Sequence, residues 1–155
     1  MMAAMSYRQT QHGPLYLLLL VVAAGVIIFG RVVESAQPAL NLFDATGLFI
    51  ATFAFCFKTL TVEDAGDHLL VHYGPIPLFW HRVPYASITA VRRSRSKWMD
   101  GWGIHFILGR GWTYNLWGFD CVDIERGGRR ERIGTDDPDG LVRFLESRVG
   151  PGAAS

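Results

Sequence analysis

The sequence has few of the features that disulfide scaffolds, zinc sites and nucleic-acid-binding proteins require. It contains two cysteines, Cys56 and Cys121, too few for a disulfide framework or a four-thiolate zinc site, and compatible with a reducing compartment. Its 15 Lys and Arg residues stand against 14 Asp and Glu residues, and a net charge of +1 gives no global field that would select nucleic acid. Only 19% of the residues are charged and 50% are hydrophobic, which excludes a disordered chain.

A long apolar run lies near the N-terminus. Residues 9–30 carry no formal charge when His12 is neutral, and residues 15–29 are apolar at every position. About 20 helical residues cross a hydrocarbon core of about 30 Å, and a helix that is apolar all round suits lipid. We therefore predict a transmembrane helix over about residues 14–31. A buried soluble helix and a signal peptide are the alternatives, but the apolar region of a signal peptide has only about 7–15 residues.

A second apolar run covers about residues 38–57, with Asp44 as its only charge. Pro38 suits the first turn of a helix. The two runs predict a transmembrane helical hairpin over residues 14–57. Arg31 ends the first helix and Asp44 lies early in the second, so both reach the same membrane face and are candidate polar contacts of the hairpin. Separate hydration of the two charges is the alternative that we favour, because exposed ion pairs contribute only about 0–1 kcal/mol.

The basic residues near the two runs predict the orientation in the membrane. Arg8 precedes the first run, Lys58 follows the second, and Arg31 between them is offset by Glu34. By the positive-inside rule, and with an even number of spans, both termini are cytoplasmic. The sequence therefore predicts a multi-pass protein of the plasma (inner) membrane.

The pattern after Lys58 changes to apolar residues that alternate with polar ones. Period-two alternation is typical of half-buried strands, and Gly, Pro and Asp residues break it at intervals. We predict seven or eight short strands, the last of which ends at Ile133. Gly127 and Gly128 form a tight turn between the last two strands, since both tolerate positive φ.

An amphipathic helix over about residues 137–149 is predicted to close the domain. Its apolar residues recur at helical spacing: Leu141, Val142, Phe144, Leu145 and Val149. Asp136, Asp137 and Asp139 suit its start, where carboxylates cap free N–H groups and face the positive helix end. Residues 58–150 thus form one β-domain with a C-terminal helix, and residues 1–13 and 151–155 are predicted to be tails.

Residues 101–145, with the stretch HLLVHYGP upstream, resemble the bacterial pleckstrin-homology-like (PH-like) domains of small membrane proteins of uncharacterised function. The resemblance rests on the segments Gly-Trp-Gly, Tyr-Asn and Ile-Gly-Thr-Asp-Asp-Pro. It implies an α+β protein in which the transmembrane hairpin precedes a PH-like antiparallel β-sandwich or barrel of about seven strands, capped by the C-terminal helix. It implies no activity. The first hairpin loop is acidic over residues 63–67, where phosphoinositide binders of this fold usually have basic residues, so we expect no phosphoinositide binding there.

The concentrated charge in the chain is a basic strip over residues 92–97. Basic residues beside tryptophan suit an anionic bilayer surface. Since Lys58 leaves almost no linker after the second predicted span, the domain is expected to lie against the bilayer. The candidate residues for contact with lipid headgroups or a partner are Arg92, Arg93, Arg95, Lys97 and Trp98. The alternative is a solvated strand end, which charge runs usually form.

The sequence predicts no catalytic, cofactor or metal site. His68 and His72 lie four residues apart on one strand, about 13 Å, which is too far to share a metal ion. The calcium-loop pattern is nearly matched over residues 135–146, but it begins with Thr135 and follows a strand. No phosphate loop or nucleophile elbow is present.

These patterns predict a non-enzymatic, membrane-anchored binding or scaffolding module on the cytoplasmic face. Its partners are the lipid bilayer and, as open alternatives, a membrane or cytoplasmic protein or a second copy of the chain; nucleic acid is not expected. The competing hypothesis is an accessory or assembly subunit of a larger membrane complex. Polar and small residues of the second helix would then supply the contacts: Asn41, Asp44, Ala45, Gly47 and Ala51.

Overall fold

The computed structural model describes residues 6–33, 41–97, 102–109 and 111–149. Within these ranges the helices are α1 (Leu15–Val33), α2 (Leu42–Ala54) and α3 (Pro138–Val149), with short 3₁₀ turns at Phe55–Phe57 and Tyr85–Ser87. The strands are β1 (Arg8–His12), β2 (Thr59–Asp64), β3 (His68–Gly74), β4 (Trp80–Pro84), β5 (Ile88–Arg95), β6 (Gly103–Ile107), β7 (Gly111–Asn115), β8 (Asp120–Arg126) and β9 (Arg129–Gly134). An α+β protein with an N-terminal apolar helix, two sheets and a C-terminal helix is thereby confirmed.

Helix α1 has the length and composition of a membrane span. Its 19 residues have a mean hydropathy of 2.5, only 11% of its best window is buried, and it extends about 28 Å at 1.5 Å per residue. Helix α2 and the 3₁₀ turn after it, Leu42–Phe57, are apolar but shorter. Of the described helices, α1 alone is long and apolar enough to span a membrane, and residues 38–40 of the second predicted span lie outside the described ranges.

Glycines bring α1 and α2 into close contact. A Cβ atom on Gly30 would lie 2.3 Å from Cβ of Phe43, and one on Gly47 would lie 2.4 Å from Cγ1 of Ile27. The rings of Phe29 and Phe43 meet edge to face with centroids 5.7 Å apart. The two helices therefore form one packed unit, called the helical pair below.

Strand β1 precedes the helical pair in the chain and pairs with β2, which follows it. In this antiparallel register His12 lies opposite Thr59, and the N–H of Gly13 donates a hydrogen bond to the carbonyl of Lys58 at 3.3 Å. The helical pair thus occupies the place where a β-hairpin has its turn. The prediction of a tail over residues 1–13 is wrong for Arg8–His12, which has no apolar residue to mark a strand.

The strands form two sheets. The first has the order β1-β2-β3-β4 and is antiparallel, and the second has the order β5-β8-β9-β7-β6. In the second sheet β7 and β9 pair in parallel, where the resemblance implied antiparallel pairing. Gly127 and Gly128 have φ values of +53° and +73° and form the predicted tight turn between β8 and β9.

Both sheets and α3 share one hydrophobic core. Its buried members include Leu60, Val62, Leu69, Val71, Tyr73, Val83, Leu116, Val122, Ile124, Ile133, Leu141, Phe144 and Leu145. Phe144 is 2% exposed and stacks on Tyr7, with ring centroids 5.3 Å apart. The apolar face predicted for the C-terminal helix is therefore buried against the sheets.

The three aspartates before and within the first turn of α3 have different partners. Asp137 accepts a hydrogen bond from the N–H of Gly140 at 2.9 Å and so caps the helix. Asp136 instead accepts from the side chain of Gln11 at 2.7 Å, and Asp139 from Arg93 at 2.9 Å. One of the three predicted caps is thus an observed cap, and the other two aspartates tie α3 to β1 and β5.

Candidate functional site

The helical pair is joined to the first sheet by very short connections. Gly13 and Pro14 separate β1 from α1, and Lys58 alone separates the 3₁₀ turn from β2. The ring of Phe57 packs against Phe79 in the connection between β3 and β4, with centroids 5.5 Å apart. Because two paired strands run directly into two packed helices, the orientation of the domain relative to the helical pair is fixed by the sheet.

The end of the helical pair far from the sheet contains an ion pair. Nη2 of Arg31 lies 2.7 Å from Oδ2 of Asp44, whose side chain is 8% exposed. Asp44 also forms a capping box with Asn41: each accepts a hydrogen bond from the backbone N–H of the other, at 2.9 and 3.2 Å. The expectation that Arg31 and Asp44 are hydrated separately is wrong, because the packing of α1 against α2 brings them together. Asn41 and Gly47, offered as contacts for a larger complex, are engaged within the chain.

The basic strip begins on the edge strand β5, where two of its arginines face acidic residues. Arg93 donates to Asp139 at 2.9 Å and lies 3.9 Å from Asp120. Arg95 lies 3.6 Å from the same Asp120. These side chains are more than 40% exposed, so the pairs contribute little to stability but reduce the net positive charge of the strip.

Of the remaining strip residues, Arg92 lies within β5 and Lys97 lies two residues beyond its end. Arg92 and Lys97 are exposed and each interacts with another residue. Trp98 lies outside the described ranges. The structure therefore brings the three arginines and Lys97 onto one strand and its extension, and leaves the tryptophan prediction without a placement.

The end of β5 lies on the same side of the domain as the helical pair. The N–H of Ser96 donates to the carbonyl of Phe119 at 2.8 Å, which places this end beside the connection between β7 and β8. That connection also contacts the start of α1, since a Cβ on Gly13 would lie 2.9 Å from Cγ of Leu116. Trp117, next along the chain, is 38% exposed and stacks on another tryptophan. Basic and aromatic side chains thus share the helical end of the domain.

A second candidate site, missed by the sequence reasoning, is a buried charged cluster between the sheets. Glu131 on β9 is 4% exposed. Its Oε1 accepts two hydrogen bonds from Arg126, at 2.6 and 2.9 Å, and its Oε2 lies 2.9 Å from Nε2 of His81 on β4. The sequence carried one signal for it: Glu131 alternates with the core residue Ile133, so it occupies an inward position of the strand.

Aromatic rings continue from this cluster along the second sheet. His81 stacks on Tyr114, with centroids 4.5 Å apart and planes at 11°. Trp112 follows at 6.5 Å from Tyr114, and Phe106 meets Trp112 edge to face at 5.7 Å. Phe106 and Trp112 are 57% and 46% exposed, so this row of rings is open to solvent.

The row of rings lines an open groove with two parts. The charged part has a volume of about 820 Å³ and includes Glu125, Arg126, Arg129, Arg130 and Glu131. The apolar part has a volume of about 410 Å³ and includes Val71, Tyr73, Leu78, Phe79 and Ile104. His81, Trp112 and Tyr114 line both parts, so the two adjoin.

The surroundings of Glu131 keep it ionised. Burial alone would raise the pKa of Glu131, but the hydrogen bonds and charges of His81 and Arg126 outweigh burial and hold its pKa below the ordinary value. The pKa of Tyr114 is raised, first by burial and then by the negative charge of Glu131. The groove therefore contains a permanent carboxylate that is matched by a permanent guanidinium.

Glu131→Gln should lower stability at neutral pH, and the deficit should shrink in acid. A depressed pKa in the folded state gives stability that is complete above the unfolded pKa of about 4.3 and is lost as the pH falls through the folded pKa. Thermal unfolding of the full chain, followed by tryptophan fluorescence at about pH 7 and about pH 3.5, measures the difference. Glu146→Gln on α3 is the matched control. An equal deficit for Glu131→Gln at both pH values would contradict the depressed pKa.

In the described ranges, no three His, Cys, Asp or Glu side chains come together as a metal site. The chain matches no protein-family model, and it matches no curated protein. The candidate functional features of the described residues are therefore the helical pair, the basic strip and the open groove.

Proposed function

We propose that this protein is a membrane-anchored, non-enzymatic binding module whose domain is held against the cytoplasmic face of the plasma membrane. The observation that carries the proposal is the pairing of β1 with β2 around the helical pair. Because these strands are neighbours, the start of α1 and the end of α2 lie at the same end of the domain. A membrane crossed by α1 must therefore be crossed again by α2.

The length of the second segment is compatible with a return crossing. Leu42–Ala54 and the 3₁₀ turn Phe55–Phe57 extend about 25 Å, at 1.5 and 2.0 Å per residue. This is somewhat less than a core of about 30 Å, a mismatch that local thinning of the bilayer accommodates. Charged residues at both ends of this segment also support a return crossing. Lys58 follows the segment, and the ion pair of Arg31 and Asp44 lies at its start.

The outer surface of α1 supports contact with lipid. Its exposed apolar side chains are Leu17, Leu18, Val21, Val22, Ile28, Phe29, Val32 and Val33. They cover the side of the helix that faces away from α2. Exposure of such an apolar surface to water is unfavourable, whereas its contact with the hydrocarbon core of a bilayer is favourable.

Strand β1 argues against a cleaved signal sequence. Removal of α1 with the chain before it would delete Gln11, which is 2% exposed in the folded domain. The side-chain amide of Gln11 donates to the carbonyl of Trp117 at 2.8 Å and to Asp136 at 2.7 Å. A segment on which two other parts of the domain depend is expected to stay in the mature protein.

A PH-like domain is part of the proposal. Two sheets and a C-terminal helix around one core support it, and the parallel pairing of β7 with β9 is a departure from the expected pattern. The acidic first loop includes Asp64, which pairs with Arg148 of α3 and accepts a hydrogen bond from Tyr85 at 2.8 Å. Ligand contact is therefore proposed at the basic strip and not at this loop.

The proposed topology predicts the outcome of cysteine labelling in cells. A membrane-impermeant maleimide added from outside should label Ser35→Cys, between the helices, and should leave Ser155→Cys unlabelled until the membrane is opened. The native cysteines do not interfere, because Cys56 and Cys121 are buried. Labelling of Ser155→Cys in intact cells would contradict a cytoplasmic domain, and equal protection of both positions would contradict two crossings.

The basic strip predicts that anionic lipid stabilises the domain. In nanodiscs, the full chain should unfold at a higher temperature with phosphatidylglycerol than with phosphatidylcholine, because a ligand that binds the folded state stabilises it. The difference should fall between about 0.15 and 1 M salt, as the Debye length shortens from about 8 to 3 Å. Replacement of the four basic strip residues by Gln should remove most of the difference. If that variant retains the difference in unfolding temperature between the two lipids, the strip does not contact headgroups.

A further inference from the structure

The open groove leads from the helical pair to the opposite end of the domain. Phe79 and Tyr73 of its apolar part each contact Phe57, with ring centroids 5.5 Å apart. The apolar part therefore begins where the second helical segment ends. In a membrane-anchored protein this is the level of the bilayer surface.

The charged part of the groove lies at the other end of strand β7. Gly111 lines the charged part, and Asn115, four residues later, adjoins the connection that contacts the start of α1. Four residues of strand cover about 13 Å. The groove thus runs from an apolar end at the helical pair, along the rings of Trp112 and Tyr114, to a charged end farther from it.

Among the described residues that line the charged part, three arginines face two glutamates, which leaves one positive charge without an acidic partner. Arg126 pairs with Glu131, and Arg130 pairs with Glu125 at 3.2 Å. Arg129 is exposed and lines the same part of the groove, with no hydrogen-bond or ion-pair partner among the described residues. A ligand with one negative charge matches this single spare guanidinium.

We propose that the open groove binds a single-chain lipid with one negative charge, its headgroup at Arg129 and its acyl chain along the aromatic rings toward the bilayer. The volumes of about 820 and 410 Å³ each fall in the range of small-molecule sites, about 300–1,000 Å³. Aliphatic and aromatic side chains line most of the apolar part, and the charged part adds five charged side chains to the rings of Phe106 and Trp112. The inference rests on the proposed membrane anchorage, because the bilayer supplies the lipid to the apolar end.

Photocrosslinking of the full chain tests the groove and the anchorage separately. The protein is placed in phosphatidylcholine nanodiscs with palmitate that carries a diazirine on its chain, and crosslinked peptides are located by mass spectrometry. Crosslinks to α1 report contact with the bilayer. Crosslinks to β7, at Trp112 and Tyr114, report occupation of the groove, and both sets are expected.

Two exposed variants and a matched control identify the binding mode. Arg129→Glu should lower the β7 yield, relative to the α1 yield, by about tenfold or more, because an attractive contact with the headgroup becomes repulsive. Leu78→Glu, which places a charge in the apolar part, should also lower the yield of β7 crosslinks. Arg143→Glu makes the same charge change on the exposed side of α3 and should leave the yield of β7 crosslinks unaltered. Unlabelled lysophosphatidylglycerol should compete, and zwitterionic lysophosphatidylcholine should compete less.

Three results would overturn the inference. Crosslinks to α1 without crosslinks to β7 would refute the groove and leave the anchorage standing. So would equal β7 yields from Arg129→Glu and Arg143→Glu. Absence of crosslinks to α1 would refute the anchorage, and the lipid site with it.

Discussion

A chain in which Asn-Gly replaces residues 14–57 is expected to fold as a water-soluble domain with both sheets intact. The N–H of Gly13 already donates to the carbonyl of Lys58, so the two cut ends lie opposite each other on neighbouring antiparallel strands. A two-residue Asn-Gly loop joins such ends without strain. The loss of Phe57 from the edge of the core costs at most about 3 kcal/mol, which a domain of this size tolerates. Size-exclusion chromatography and circular dichroism measure the result.

The control for this excision is a fragment that begins at Lys58 and lacks β1. That fragment loses the buried Gln11 and exposes the edge of β2, so it should be less stable and more prone to aggregate. If the excised chain is insoluble while the full chain is folded in detergent, the helical pair is needed for the fold and is more than an insertion.

Phe144→Asp is expected to unfold the domain. Phe144 is 2% exposed, stacks on Tyr7 and meets Tyr85 edge to face at 6.1 Å. The loss of a buried aromatic ring costs about 3–5 kcal/mol, and an unpaired buried charge adds several more. The sum approaches the whole stability of a typical domain, about 5–15 kcal/mol. Loss of the cooperative melting transition, with Arg143→Asp next to it nearly unchanged, is the expected result; a normal transition in Phe144→Asp would contradict the packing of α3.

The regular elements could be predicted because their sequence patterns are local. Leu69, Val71 and Tyr73 alternate along β3, and the glycine pair between β8 and β9 defines its own turn. Strand β1 could not be predicted in this way. It contains no apolar residue, and its buried side chain is Gln11, whose partners lie more than 100 residues away in the chain.

The candidate sites likewise combine features that the local sequence predicts with contacts that depend on distant parts of the chain. The basic strip is contiguous in the chain, so its position could be predicted, but its pairing with Asp120 and Asp139 depends on β8 and α3. The cluster around Glu131 combines three strands from both sheets, and no spacing in the sequence links His81 to it. The ion pair between Arg31 and Asp44 could be named from the sequence, and only the packing of the helices decides that it forms.

The insertion of two helices between neighbouring strands also constrains the order in which the parts of the protein fold during synthesis. Arg8 pairs with Glu63, so β1 leaves the ribosome several seconds before its partner at about 5–20 residues per second. Closure of a flexible loop of about 45 residues would cost roughly 3 kcal/mol in chain entropy. In the proposed topology, packing of α1 and α2 in a bilayer would close this loop before β2 is made, and β2 would then emerge beside β1. Insertion would then come before completion of the sheet, and the groove and the basic strip would mature only on chains already delivered to the membrane.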